Sequence, residues 1–423
     1  MNSSKGPAGT AYLPAAEVLR MLDIRAQSLY AYVSRGWIRS IPQPGRKDRL
    51  YFADDVQKMR SRSSARAGHG VVAAAAMQWG EPIVPTTITR ITDEGPHYRG
   101  YRAVQLAEAG ASFEAVAELL WTGRIADTAV RWPPLPQRAA GCTLAGAVAT
   151  PGSGQLLQIF ALFTLQLGMA PARPAARGGP FAAARELIQA LSGCVGYLSA
   201  QGQFCPTRAA DTVGSHLLRA MAVADNTENR AAIDAILVLL ADHELSPGAF
   251  AARVAASSGA SLHNCIASAI CTISGEHIAK LYDGVADFLG PATSAAVLMQ
   301  RARRHHQRGN MVPGFGHPLY RNGDPRARCL IETARRRQLQ SPQLQAIYQF
   351  IDRAESTLAI FPRQELGVVA LLLAMGAPVA CASALFALAR VAGFIAHVEE
   401  QRQSGTLLRP RAKFVGQAAP GGA

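Results

Sequence analysis

A chain of 423 residues, 49% hydrophobic and 17% charged, is too long for one ordinary domain and apolar enough to bury a large core. That balance excludes the extended disorder of charge-rich, apolar-poor sequences. The formal net charge is +14, and the residues up to Arg66 carry twelve Lys and Arg against five Asp and Glu. Such a bias suits an anionic partner such as DNA, and is equally what an Arg-rich surface from a GC-rich genome shows.

In chain order, a small unit comes first. Leu13 to Glu17 opens a helix that continues through Val18, Leu19 and Leu22, with a turn at Asp23-Ile24. A second helix runs from near Gln27 to Gly36, with Leu29, Tyr30 and Val33 on its apolar side. Then come a turn around Pro42–Gly45, a strand at Arg49–Phe52 and a third helix from Asp54. Ser61–Gly70 reads as a flexible linker. Pro82–Gly100 reads as strands and turns, and from Ala103 the pattern is helical nearly to the end, interrupted by an exposed loop at Pro171–Pro180. The stretch Leu366–Ala389 is uncharged over 24 residues, long enough to span a bilayer. Gly376 and Pro378 break it and Arg390 follows, so two buried helices are expected there instead. The seven cysteines include no CxxC pair, which favours free thiols in a reducing cytoplasm over a disulfide framework or a zinc site. The first thirty residues lack a signal-peptide core. A cytoplasmic protein without a membrane span or a metal site is the expectation.

Helix, tight turn, helix and basic hairpin is the order of a winged helix-turn-helix, and SLYAYVSRGWIRS…GRKDRLYFADDV resembles MerR-type modules. The resemblance implies a module over residues 1–62. Its second helix would enter the major groove with Tyr30, Tyr32 and Arg35, while Arg46, Lys47 and Arg49 at the hairpin meet phosphates. Modules of this kind also serve as protein-docking or dimerisation surfaces.

Farther on, blocks in a fixed order are similar to citrate synthases over about Ile88 to Gly416. They are ITDEGPHYRGYRAVQLAEAGASFEAVAELLWTG, ADHELSPGAFAARVAASSGASLHNCIASAICTISG, GFGHPLYRNGDPRA, ALFALARVAGFIAHVEEQ and LLRPRAKFVG. The resemblance implies a mostly α fold of a large and a small helical domain with a cleft between them, working as a homodimer. A linker is then expected at 63–80, the synthase-like domain at 81–416 with its small-domain portion roughly at 245–355, and a disordered tail at 417–423. It also implies condensation of acetyl-CoA with oxaloacetate to give citrate and CoA, with acetyl-CoA as substrate and no further cofactor.

That chemistry needs a base for the thioester methyl, a donor for the enolate oxygen, a donor that polarises the keto group, and cations for a dianionic substrate. By resemblance His317 polarises the keto group, His243 contacts oxaloacetate, and Arg326, Arg390 and Arg409 hold carboxylates, the last across the dimer. Pro313, Gly314, Phe315, Gly316 and Arg321 lie where the family holds CoA. An arginine that follows a long uncharged run is costly to bury alone, which by itself points Arg390 at an anion or an internal partner.

Two blocks depart from the family. Its enol-stabilising histidine lies in Ser-Gly-x-x-His-Gly-Gly; here the text is Ser274-Gly275-Glu276-His277-Ile278-Ala279-Lys280. His277 comes one residue early, a rotation of about 100° on a helix, and serves only if the backbone shifts register. The family's base lies in Pro-Asn-Val-Asp-Phe; here it reads Pro362-Arg363-Gln364-Glu365-Leu366. Glu365 keeps the carboxylate with one methylene more, and misplacement of about 1 Å can cost ~100-fold. Three functions follow: a condensing enzyme using His277, His317 and Glu365; a carboxylate- or CoA-sensing DNA-binding regulator; or a pseudoenzyme partner of an active paralogue. In each, a small di- or tricarboxylate is expected to bind.

Overall fold

The computed structural model describes residues 12–22, 24–34, 38–42, 49–53, 55–56, 84–126, 129–135, 153–169, 179, 181–199, 202–337 and 341–410. Arg35, Arg46 and Lys47, the expected linker at 63–80 and the expected tail at 417–423 lie outside the described residues. Two compact units are distinguished, one within Met1–Pro85 with Pro410–Ala423, the other Thr86–Arg409. The expected small-domain portion lies wholly inside the second.

In the first unit β1 (Tyr12–Pro14), α1 (Ala15–Leu22), α2 (Ala26–Ser34), β2 (Ser40–Pro42) and β3 (Arg49–Phe52) follow in order. The strands form an antiparallel sheet, β1-β3-β2, with Tyr12 opposite Phe52 and Ser40 opposite Tyr51. Val18 and Leu22, one helical turn apart, meet Leu29, Ile38, Tyr51 and Val56 in a small core. Arg39 Nε pairs with Asp55 Oδ2 at 2.8 Å. Of the residues expected at DNA, Tyr30 is exposed on α2, Tyr32 packs partly against the core, and Arg49 donates to Ser40 Oγ at 2.9 Å.

The second unit starts with an antiparallel sheet of β4 (Thr89–Thr92), β5 (Gly95–Tyr98) and β6 (Tyr101–Arg102). Helices follow: α3 (Ala103–Glu108), α4 (Phe113–Thr122), α5 (Ser153–Met169), α6 (Ala182–Cys194), α7 (Val213–Ala220), α8 (Thr227–Leu240), α9 (Pro247–Ser257), α10 (Leu262–Ile273), α11 (Lys280–Leu289), α12 (Ala295–Gln307), α13 (Pro325–Arg335), α14 (Pro342–Leu358), α15 (Gln364–Ala374) and α16 (Ala382–Ser404). Their starts are chemically marked. Ser112, Thr212, Asn226, Ser261, Ser294, Asp324 and Ser341 each accept a backbone N–H of the helix that they precede.

The uncharged run divides as its Gly and Pro require. α15 ends at Ala374, Gly376 turns at φ +65°, and a 3-10 turn at Val379–Cys381 leads into α16. From Ala382 to Val398 α16 is buried on all sides, packed against α4, α5, α6, α8, α9 and α10. By length and hydropathy the segment Val379–Ser404 is able to cross a membrane, but 89% of its apolar stretch is buried inside the fold.

Candidate active site

Four segments bring most of the expected residues together: the loop between α8 and α9, the loop between α12 and α13, the start of α15, and the middle of α16. The second is stitched to the third. Gly316 N–H donates to Phe361 O at 2.9 Å, Arg363 N–H donates to Gly314 O at 2.7 Å, and Phe315 pairs with Pro362 in a β-bridge. Gly314 has φ +80°, and a Cβ there would stand 3.0 Å from both Leu366 Cβ and Val285 Cγ2, so backbone conformation and space both require glycine. One frame therefore carries His317 and Glu365.

The rings of His317 and Tyr320 are 4.7 Å apart, and that of His243 lies 5.6 Å from His317. His317 Nδ1 accepts the Leu319 N–H at 3.1 Å, which puts the proton of the neutral ring on Nε2. Burial, reinforced by the Arg326 charge, pushes its pKa down to about 4. At neutral pH His317 is thus an uncharged donor. His243 Nε2 lies 2.9 Å from the Tyr320 hydroxyl. Burial, then Arg326 and Arg390, hold its pKa well below the ordinary 6.5. Burial pushes the Tyr320 hydroxyl up to about 12.

Cations surround these neutral rings. Arg326 is 1% exposed and forks onto Asp324, Nε to Oδ1 at 3.0 Å and Nη2 to Oδ2 at 2.8 Å. Burial alone would lower the Arg326 pKa, but Asp324 outweighs it and raises it. Nη1 of Arg326 remains buried without a partner. Arg390 is 5% exposed, its Nε and Nη1 are buried and unpartnered, and burial lowers its pKa against the opposing pull of Asp242. Three donor nitrogens on two guanidiniums are left over where a buried polar group normally has a partner.

Glu365 is 3% exposed; its Oε1 accepts from Arg363 Nη2 at 3.0 Å, and its Oε2 has no partner. Beside it the Tyr282 hydroxyl donates to Gln364 Oε1 at 2.8 Å.

Behind the cluster stands a buried chain of charges. Arg253 Nε donates to His397 Nδ1 at 2.8 Å, and His397 Nε2 lies 3.3 Å from Asp242 Oδ1. Arg253 also pairs with Glu400. Burial opposes ionisation of Asp242, but His397 and then Arg390 outweigh it and lower its pKa. Gly393 lets the His243 loop press onto α16, since a Cβ there would be 2.3 Å from Asp242 Oδ1. Arg390, Gly393 and His397 share one face of α16 by their spacing. That spacing was the available signal for Gly393 and His397, which sequence reasoning missed along with the Asp242 carboxylate and the Tyr320 hydroxyl.

His277 is exposed in the turn that follows α10. α10 ends at Ile273 and residues 274–279 form a turn rather than a continued helix. Ile278 packs partly against the core and Ala279 is buried, so burial of these apolar side chains sets the register and turns His277 out to solvent. No hydrogen bond or ring contact among the described residues links it to His243, His317 or Glu365. The Phe315 side chain is 2% exposed and packs on Phe350 at 5.4 Å, which leaves its backbone for a ligand. Pro313 is partly buried in the stitched loop, Arg321 is exposed on the same loop, and Arg409 is exposed beyond α16, apart from the cluster. Among the described residues no three His, Cys, Asp or Glu side chains converge as metal ligands.

The helical scaffold thus gathers uncharged histidines, two buried guanidiniums with spare donors and one half-paired carboxylate. The family model for the citrate synthase C-terminal domain matches residues 77–411, and the chain belongs to the citrate synthase family. It is 28% identical over 219 residues to a 2-methylcitrate synthase of Shewanella oneidensis, covering 49% of this chain and 56% of that protein. It is 33% identical over 192 residues to a putative citrate synthase 2 of Mycobacterium bovis, covering 44% and 51%. The chain thus spans about half the length of the curated relatives it matches. Among solved structures, citrate synthase of Thermoplasma acidophilum, a ternary complex with carboxymethyl coenzyme A and oxaloacetate, superposes with a TM-score of 0.69 at 19% identity, covering 81% of this chain and 96% of that one. This likeness shows the fold.

Proposed function

We propose that the chain is a citrate-synthase-type condensing enzyme that joins an acyl-CoA to oxaloacetate or a related oxo-dicarboxylate. The observation that carries the reading is Arg390: a guanidinium 5% exposed with two unpartnered N–H groups is intelligible when an anion completes it. Arg326 Nη1 supplies a further donor for the second carboxylate. His317 Nε2–H polarises the keto oxygen without adding charge, His243 with Tyr320 reads the ligand's polar groups, and Glu365 Oε2 takes the proton from the carbon next to the thioester. CoA lies along the Pro313–Gly316 backbone near Arg321. No cofactor beyond acetyl-CoA as substrate is needed. Arg409, exposed in this chain, serves the neighbouring subunit of a homodimer. The exposed Leu162, Leu165 and Met169 of α5 are apolar surface for such an interface.

With His277 facing solvent, no histidine of the cluster remains for the enolate oxygen. Loss of one such donor typically costs ~100- to 1000-fold, so slow turnover is expected. Thiol release from acetyl-CoA with oxaloacetate, read beside calorimetric binding of oxaloacetate, tests the proposal. Absence of both signals at millimolar ligand removes it.

A second reading, a carboxylate-sensing regulator, is favoured by the outward His277, by the ion pair on Glu365 and by the helix-turn-helix-hairpin order of the first unit. Tyr30 on α2 and Arg49 on β3 are the described candidates for DNA there. Gel shifts with genomic fragments at several salt concentrations test it, because phosphate attraction alone gives a steep salt slope without sequence preference. In both readings the protein works in the cytoplasm.

A further inference from the structure

Arg363 is a cation of the same cluster that holding an oxo-dicarboxylate does not use. Its backbone is fixed by Gly314 O, its side chain is 18% exposed, its Nη2 bonds Glu365, and its Nε is buried without a partner. Next to it, Glu365 Oε2 is a buried acceptor without a partner. Its charge acts on both His243 and His317, so it stands near the same cluster.

Two carboxylates of a keto acid find their donors on Arg390 and Arg326. A third guanidinium beside the base faces the other substrate, whose reacting carbon must meet Glu365 Oε2. One ligand fills both vacancies when it brings an anion to Arg363 and an acidic C–H to Glu365. Acetyl groups carry only the second.

Resting on the condensation reading above, we infer that Arg363 selects an acyl thioester whose acyl chain bears its own carboxylate, a CoA monothioester of a dicarboxylic acid. Glu365 Oε2 takes a proton from the carbon next to the thioester carbonyl. That carbon bonds the keto carbon, and the proton ends on the new hydroxyl. Water then cleaves the thioester, releasing the CoA thiol and leaving a tertiary alcohol with one carboxylate more than the acetyl reaction gives. As the substrate's carboxylate takes the Arg363 fork, Glu365 is freed from its ion pair.

The test uses the full chain saturated with L-malate, a dicarboxylate without the keto group, so that nothing condenses. Calorimetric titration with succinyl-CoA and with acetyl-CoA is compared for the parent, Arg363→Asn and Arg363→Lys, with thermal unfolding as the check on folding. Succinyl-CoA is expected to bind roughly tenfold or more tightly than acetyl-CoA, as one lost charge-assisted bond implies. Arg363→Asn is expected to erase the preference and Arg363→Lys to restore part of it. Equal affinities in the parent, or a preference untouched in Arg363→Asn, overturn the inference while malate or oxaloacetate binding leaves the condensation reading standing. No heat with either dicarboxylate overturns both.

Discussion

Replacing Arg390 by methionine separates stability from binding. The guanidinium is 5% exposed with Nε and Nη1 unpartnered, and each unsatisfied buried donor costs about 1–3 kcal/mol. Methionine fills the same channel without those groups. Asp242 loses a nearby cation but keeps His397 at 3.3 Å, which offsets part of the gain. The net expectation is a fold as stable as the parent or more so by about 1–2 kcal/mol. Binding moves the other way. Two charge-assisted bonds to a carboxylate are worth at least about 3 kcal/mol together, so oxaloacetate affinity falls more than ~100-fold. Thermal unfolding with and without oxaloacetate reads both at once, since a ligand at 100 times its Kd adds ~2.7 kcal/mol to the native state. The parent's midpoint rises with ligand; the variant starts level or higher and does not respond. A variant that unfolds several degrees early yet still responds to oxaloacetate would refute the reasoning, because Arg390 would then be a structural cation and not a ligand site.

Gly393→Ala places a methyl 2.3 Å from Asp242 Oδ1 and 2.6 Å from Ala241 O; with backbone on one side the loop must move, at about 3 kcal/mol or more. Thermal unfolding and oxaloacetate titration should both worsen, and an unchanged KM would mean that the His243 loop tolerates the shift. Asp234 is pushed up to about 7 by burial and by Glu114, so the folded chain keeps a proton that the unfolded chain sheds near 3.8. Stability therefore falls as pH rises between those values, and above 7 the penalty is on the order of 4 kcal/mol. Asp234→Asn still accepts the Phe113 N–H and is expected to be more stable than the parent at pH 8, with the difference vanishing below pH 4; urea titrations at both pH values check this. His277→Ala should leave stability within about 0.5 kcal/mol and thiol release unchanged, whereas a tenfold loss of turnover would bring His277 back into the site.

Much of the helical framework could be read from polar residues at helix starts and from Gly and Pro at breaks. The division of the uncharged run at Gly376 and Pro378 follows from backbone chemistry alone. Gathering of His243, His317, Arg326, Glu365 and Arg390 followed from the resemblance, because their separation along the chain gives no local signal. The displacement of His277 was legible in its spacing, one residue early; whether the backbone would shift register to restore it was not, because that rests with the burial of Ile278 and Ala279, a tertiary effect. The Arg253–His397–Asp242 chain was hidden for a related reason. Only the i+3 and i+7 spacing of Gly393 and His397 from Arg390 hinted at it, and on a helix buried all round no face stands out.

In the condensing reading the two buried arginines would divide the work of anion binding. Arg326 is already matched by a forked bond to Asp324, so its free Nη1 adds direction more than charge. Arg390 lacks a bonded carboxylate among the described residues, and in that reading its spare donors would supply most of the attraction for a ligand. Asp242 tempers that attraction from behind and is itself held by His397. Uncharged His243 and His317 add hydrogen-bonding capacity without raising the positive potential further, which keeps affinity dependent on shape and carboxylate spacing. A site organised in this way would discriminate among dicarboxylates by geometry. Added charge at either histidine would blunt that discrimination before it improved binding.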